Sequence, residues 1–254
     1  MKTNIPSNTI KPARRFKTSF LTAAVVAALT IALASPAEAI DSNTATGIGA
    51  LQSNTTGWYN TADGYYALGS NTTGPMNTAN GSYALYYNTT GSQNTATGSQ
   101  ALMLNTTGNY NTASGVNALL YNTTGNYNTA NGLDSLRLNT TGTYNTTNGL
   151  GSLRLNTTGK NNTATGVGAL ELNITGKNNT SNGYRALYSN KTGSQNTALG
   201  YLADVTTGAL SNATAIGYNA KVNASNKVRI GSTAVTRIEG QVPWSSTSSP
   251  NCAR

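Results

Sequence analysis

Few side chains in this sequence could carry out acid–base or metal chemistry. Histidine is absent, which removes the commonest general base and the commonest metal ligand. Asp63 and Asp134 stand alone, whereas a calcium site needs several oxygen ligands, with more than one carboxylate among them. No nucleophile has a base partner in the pattern, and the single cysteine, Cys252, lies near the end of the chain. We therefore expect no enzyme, no catalytic residue, no metal and no cofactor.

The chemistry that remains is surface binding, and four tyrosines are the first candidates. Tyr59, Tyr110, Tyr127 and Tyr144 each precede a recurring asparagine. An exposed aromatic strip of this kind could stack on sugars or on collagen-like ligands. The alternative is a stacking ladder that stabilises a turn. A second group of tyrosines follows Trp58 and could cover the open end of the fold: Tyr65, Tyr66, Tyr83, Tyr86 and Tyr87.

Threonine pairs are the second candidate surface. Thr95 with Thr97, and Thr163 with Thr165, would present a flat array of hydroxyls, as in ice-binding solenoids. Asparagine and aspartate interrupt this array at residues 63, 80, 131 and 148, so ice binding ranks as a distant third hypothesis. Asn-x-Thr also matches the glycosylation pattern, but the repeat itself demands those residues, so the match carries little information.

All of these residues occupy fixed positions in a 17-residue repeat. The unit is Asn-Thr-Ala-x-Gly-x-x-Ala-Leu-x-x-Asn-Thr-Thr-Gly-x-x, and we count its first Asn as position one. Nothing is inserted or lost between copies. A short strict period indicates one small structural unit stacked on itself many times. The copies begin at Asn43, Asn60, Asn77, Asn94, Asn111, Asn128, Asn145, Asn162, Asn179 and, degenerating, Asn196.

A 17-residue unit is too short for two helices but long enough for two brief strands and two turns. The pattern therefore predicts an all-β β-solenoid of about ten coils, with one strand at Thr-Ala-x and another centred on Ala-Leu. Leu at position nine and Ala at position three should form interior columns. Asn at positions one and twelve should form amide ladders at the corners, and glycines at positions five and fifteen should mark tight turns. With one Leu and two Ala per coil, the core is thin, which favours a homo-oligomer, a trimer being the best estimate.

The first 39 residues have the features of a secretory signal peptide. A basic segment precedes an apolar run from Phe20 to Ala34, and Ala37-Glu38-Ala39 resembles a cleavage site. Five of the 16 Lys and Arg residues and one of the seven Asp and Glu residues lie in this segment, so the rest carries a net charge of about +5. That charge is thinly spread, so we expect no nucleic-acid partner, and no membrane span in the mature chain.

Two stretches resemble known protein families. Thr214 to Ala220 and Lys227 to Gly231 resemble the head repeats of trimeric autotransporter adhesins, and the likeness extends more loosely over residues 43–212. That resemblance implies a left-handed parallel β-roll built by three chains. Asn226 to Ser246 is similar to the stretch that precedes the C-terminal chaperone domain of phage tail-fibre and endosialidase-type proteins. The resemblance covers neither a membrane barrel nor a chaperone domain, so no catalytic residue is carried over.

Together these observations predict a signal peptide (1–39), a β-solenoid (40–220) and a β-rich end segment (221–254). The leading functional hypothesis is a secreted or bacterial-surface, adhesin-like or tail-fibre-like fibrous protein that presents a repetitive lateral surface to a glycan, a matrix or a host surface protein. The main alternative is a structural filament or spacer without a ligand of its own. Cys252 is either a free thiol or a link to another chain.

Overall fold

The computed structural model describes residues 42–238, and the predicted signal peptide and Cys252 lie outside the described residues. Within this part the chain is all β, a parallel β-solenoid of about eleven coils that contains no helix. It accordingly contains no helix with the length and hydrophobicity of a membrane span. The strands are β1 (Thr44–Thr46), β2 (Thr61–Asp63), β3 (Thr78–Asn80), β4 (Thr95–Thr97), β5 (Thr112–Ser114), β6 (Thr129–Asn131), β7 (Thr146–Asn148), β8 (Thr163–Thr165), β9 (Thr180–Asn182), β10 (Thr197–Leu199), β11 (Asp204–Val205), β12 (Thr214–Ile216), β13 (Lys221–Val222) and β14 (Val228–Ile230).

Equivalent residues of successive coils lie directly opposite each other. Strands β1 to β10, then β12 and β14, form one parallel 12-stranded sheet in sequence order. Thr112 pairs with Thr129 and Ala113 with Ala130, one repeat apart, and the same register holds from β1 to β12. The last step is shorter, because Thr214 pairs with Val228. The predicted stacking of identical units is therefore confirmed, and it continues past residue 220 through β13 and β14.

The interior contains the residues that the period places there. In β2 to β10 the middle residue of each strand is buried and both flanking residues are exposed. The leucines at position nine from Leu68 to Leu187 are fully buried in the same core. Position four points outward even where it is aliphatic, since Leu199 is 50% exposed. The predicted inward columns of Leu and Ala are confirmed.

The second predicted strand is wrong for most of the coils. The Ala-Leu segment forms tight turns, and Leu119 adopts a left-handed backbone with φ of 53°. Its N–H still donates to the carbonyl of Ser135 in the next coil at 3.0 Å, while Ala118 N–H closes a turn onto Gly115. A bulky residue rarely adopts this conformation, but it lets the chain curl tightly while the largest core side chain points inward. Between residues 42 and 238, two strands per coil occur only in the last coils, where β11 pairs with β13.

The two glycines of each repeat are required for different reasons. Gly115 at position five has φ of 130°, and a Cβ there would lie 2.6 Å from the carbonyl oxygen of Gly132. Gly125 at position fifteen has no positive φ, but a Cβ there would lie 2.5 Å from the carbonyl oxygen of Gly142. Both sites therefore need glycine because backbones of adjacent coils approach closely, and position five also needs it for conformation.

The two asparagines of each repeat form the predicted amide ladders, but deep inside the coil. Asn111 and Asn122 are fully buried. Asn122 Nδ2 donates to Oδ1 of Asn105 in the preceding coil at 2.7 Å, and Asn111 N–H donates to Oδ1 of Asn94 at 3.0 Å. The ladders thus satisfy polar groups that no water reaches, and they supply cohesion where the apolar core is thin.

Candidate binding surfaces

Three of the four predicted tyrosines form a continuous stack on the side of the solenoid. Ring centroids of Tyr110 and Tyr127 are 4.8 Å apart with planes at 3°, and those of Tyr127 and Tyr144 are 4.9 Å apart with planes at 1°. The spacing equals the rise of one coil, since each tyrosine occupies position seventeen with φ between 56° and 58°. All three side chains remain about half exposed. We call this set the tyrosine ladder.

The stacking determines what the ladder can offer a ligand. Both faces of Tyr127 are covered by its neighbours, so a sugar ring cannot stack on it. The ring edges and the phenol hydroxyls remain available, while Gln93 and Asn161 occupy the same position in the coils next to Tyr110 and Tyr144. The ladder is therefore a row of phenol hydroxyls and ring edges that can bond to or pack against a ligand.

Tyr59 does not belong to this ladder. Met76 and Gln93 occupy position seventeen in the next two coils and separate it from Tyr110. Tyr59 instead packs edge-to-face against Trp58, with ring centroids 5.1 Å apart, and both side chains are substantially exposed. The sequence alone separates the two arrangements, because the period places only Tyr110, Tyr127 and Tyr144 in successive coils.

The second tyrosine group does not cover the end of the fold as predicted. Tyr65, Tyr66, Tyr83, Tyr86 and Tyr87 contact one another on the side of two adjacent coils, with ring centroids 4.5 to 5.8 Å apart. The coil that begins at Asn43 stacks above them through β1 and β2. Desolvation raises the pKa of the Tyr83 hydroxyl, and the hydroxyl of Tyr65 adds to the shift. The cluster is a lateral patch.

Strands β1 to β10 and β12 each begin with a threonine, and these threonines form an unbroken outward row. These threonines pair in register along the sheet, and their hydroxyls make no hydrogen bond within residues 42–238. We call them the threonine row: Thr44, Thr61, Thr78, Thr95, Thr112, Thr129, Thr146, Thr163, Thr180, Thr197 and Thr214. Free hydroxyls therefore recur at about 4.8 Å along one face.

The neighbouring outward row, at position four, is less regular. The Thr46 hydroxyl donates to Oδ1 of Asp63 at 2.6 Å, and Asn131 Nδ2 donates to Asn148 Oδ1 at 3.4 Å. Some of its hydrogen-bonding groups are thus paired to each other, as the interruptions in the sequence suggested.

A recess on another side of the coils was not predicted. Position seven is Gly in two successive coils, at Gly151 and Gly168, whereas the flanking coils have Asp134 and Arg185 there. The missing side chains leave a recess of about 340 Å³. Its lining residues are Asp134, Leu150, Gly151, Arg154, Val167, Gly168, Glu171, Tyr184 and Arg185. Two consecutive glycines at a position that otherwise varies were the only sequence signal for it.

Charged groups surround this recess. Arg154 donates to Glu171 Oε1 from Nη2 at 2.7 Å and from Nε at 3.1 Å. At one end, Nε of Arg137 lies 3.7 Å from Oδ1 of Asp134. At the other end, the guanidinium of Arg185 lies 5.5 Å from the ring centroid of Tyr184 and 4.9 Å from that of Tyr188. Arg185 forms no ion pair with any residue from 42 to 238.

No family of known proteins, no characterised relative and no solved structure matches this chain. Within residues 42–238, no three Cys, Asp or Glu side chains lie close enough to hold a metal ion.

Proposed function

We propose that this protein is a secreted or cell-surface, non-enzymatic fibrous protein, adhesin-like or tail-fibre-like, whose coils present a repetitive lateral surface to a glycan, matrix or host-surface partner. The observation that carries the proposal is the threonine row. Eleven identical hydroxyls face outward in register and none is used for internal bonding. Repeated weak contacts along such a row add by multivalency when the partner is itself a polymer.

The tyrosine ladder supports the same conclusion. It lies two residues from the threonine row in each coil, and the intervening asparagine points inward. Phenol and threonine hydroxyls therefore run side by side over three coils. A polymer with regularly spaced hydroxyl or amide groups would find donors and acceptors along the full length of this strip.

We also propose that the protein acts as a homo-oligomer, with a trimer as the preferred state. Apolar side chains are exposed on the last coils, including Leu199, Tyr218, Val228 and Ile230. Contiguous exposed apolar surface is typical of protein contacts, and these coils are the ones that resemble trimeric adhesin heads. Sedimentation should give three times the chain mass, and Leu199→Asp should lower it to the monomer mass.

The experiment that tests the binding function is a screen of the purified protein against an array of glycans and matrix proteins. We expect saturable binding to at least one class of glycan or matrix protein. A triple variant with Tyr110, Tyr127 and Tyr144 changed to Gln shows whether the tyrosine ladder is the binding site. Loss of binding assigns the site to the ladder, and unchanged binding excludes it. Glutamine suits this position, since Gln93 and Gln195 occupy it with φ of 56° and 61°. Absence of all binding, with filaments visible by microscopy, would instead favour a structural spacer.

Ice binding is a second candidate, and the unbroken threonine row is the observation that favours it. A flat row of methyl and hydroxyl groups at fixed spacing can order water along the sheet. The amides and Asp63 in the neighbouring row argue against it. Thermal hysteresis measures this activity directly. Thr129→Asp should abolish it, and Thr124→Asp, at an exposed position outside the row, should leave it unchanged.

A further inference from the structure

The recess beside Gly151 and Gly168 exists because these two coils have no side chain at position seven, where the coils on either side have Asp134 and Arg185. Their φ values are 62° and 65°, close to those of Asn117 and Gln100 at the same position in other coils. A Cβ added to Gly151 would meet nothing within 4 Å. A Cβ at Gly168 would lie 3.1 Å from Oε2 of Glu171 and 3.2 Å from Cγ of Arg185, so the space is fully open only at Gly151. A left-handed φ favours glycine at both positions, and at Gly151 the missing side chain also leaves room for a ligand.

The size and walls of the recess fit one sugar ring. About 340 Å³ lies at the lower end of the range for ligand pockets. Leu150 and Val167 form an exposed apolar wall that suits the C–H face of a sugar. Tyr184 stacks on Tyr201 with ring centroids 5.0 Å apart and has the guanidinium of Arg185 over its ring. Across the recess, Glu171 and Asp134 offer carboxylate oxygens that accept hydrogen bonds from sugar hydroxyls.

The charges select the kind of sugar. Glu171 is neutralised by Arg154, and Asp134 faces Arg137. Arg185 is left as the one uncompensated cation among the charges around the recess within residues 42–238. Tyr184 and Tyr188 hold its guanidinium in place while its N–H donors stay free. A planar guanidinium matches a carboxylate through two parallel hydrogen bonds.

We propose that this recess binds a uronic acid residue of an acidic polysaccharide, with the sugar carboxylate on Arg185 and the ring against Leu150 and Val167. This inference rests on the proposed binding function and names a substrate class for it. The recess lies outside the threonine row and the tyrosine ladder, so its role can be separated from theirs.

The test is titration of the purified protein with D-glucuronate, using D-glucose as the uncharged control and NMR shifts as the readout. We expect saturable binding of glucuronate and at least about tenfold weaker binding of glucose, since one charge-assisted pair accounts for a difference of that order. Arg185→Gln should remove this preference. Gly151→Asn should weaken glucuronate binding about tenfold by filling the recess, since asparagine tolerates this conformation. Gln100→Asn, at the same position away from the recess, should have no effect.

Equal binding of glucose and glucuronate, or unchanged binding by Gly151→Asn, would overturn the assignment. The array separates this failure from that of the proposed function. If wild type and Gly151→Asn bind the same array members equally well, the recess is not the site and the proposed function still holds. If Gly151→Asn loses binding to uronic acid polymers alone, the assignment is supported.

Discussion

Asn111 and Asn122 donate from their side-chain amides to one backbone oxygen, that of Gly125, at 2.8 Å and 3.0 Å. The same convergence recurs in the other coils, for example at Gly74 and Gly159. Each coil is thus closed across its interior by two buried amides. These repeated polar junctions therefore add to the stabilisation that the narrow apolar core provides.

Replacing Asn122 by Asp should destabilise the protein strongly. The carboxylate would face the oxygens of Gly125 and Asn105, which now accept hydrogen bonds from the amide. A buried, unpaired charge and two lost donors should cost at least about 3 kcal/mol of unfolding free energy. The control is Asn126→Asp, because Asn126 lies partly exposed and its Oδ1 would still accept the Asn109 N–H. Equal melting temperatures for the two variants would contradict the buried ladder.

Leu119→Asp should disrupt several adjacent coils, because Leu119 is fully buried in a stacked apolar column. The cost should exceed about 3 kcal/mol, since a cavity and a buried charge are created together. Leu133→Asp is the matched control, since that side chain is 47% exposed. Thermal unfolding followed by circular dichroism distinguishes them. An unchanged melting temperature for Leu119→Asp would rule out the inward leucine.

Ser181→Ala should raise stability by about 1 kcal/mol. Its hydroxyl is buried and makes no hydrogen bond, and most other coils have Ala at this position. Ser135→Ala should have the opposite effect, because the Ser135 hydroxyl bonds Thr147 at 2.6 Å and Ser152 at 3.1 Å. Chemical denaturation measures both. Destabilisation by Ser181→Ala would show that its hydroxyl has a partner after all.

Asp204 should make stability depend on pH. Burial raises the pKa of this carboxyl, although Ser189 N–H, Lys221 and Val205 N–H partly oppose the shift. As pH rises above the ordinary aspartate pKa, the unfolded chain loses its proton before the folded chain does. Stability should therefore fall with rising pH through this window and level off above the folded pKa. Asp204→Asn should remove this decrease in stability with rising pH, so the variant should be more stable than the wild type at neutral pH. In acid the variant and the wild type should be equally stable. A wild-type stability that rises through this window would contradict the shift.

The sequence predicted the repeat register, the leucine column and the amide ladders, because each depends only on which residue recurs at which phase. It did not predict the conformation of the Ala-Leu segment. Ala and Leu give no local signal for a left-handed turn, and only tertiary packing places Leu119 there. The sequence also did not predict the recess. Glycine recurs throughout the repeats, so Gly151 and Gly168 do not stand out as positions where side chains are missing.

Distances between spin labels test the stacked coils most directly. Cysteines would be placed at Thr61 and Thr163, six coils apart, and at Thr61 and Thr214, nine coils apart, with Cys252→Ser and dilution into unlabelled protein. A rise of ~4.8 Å per coil predicts separations of roughly 29 Å and 43 Å, in proportion to the number of coils. Separations that do not grow with coil number would contradict the in-register solenoid on which the proposed binding surfaces depend.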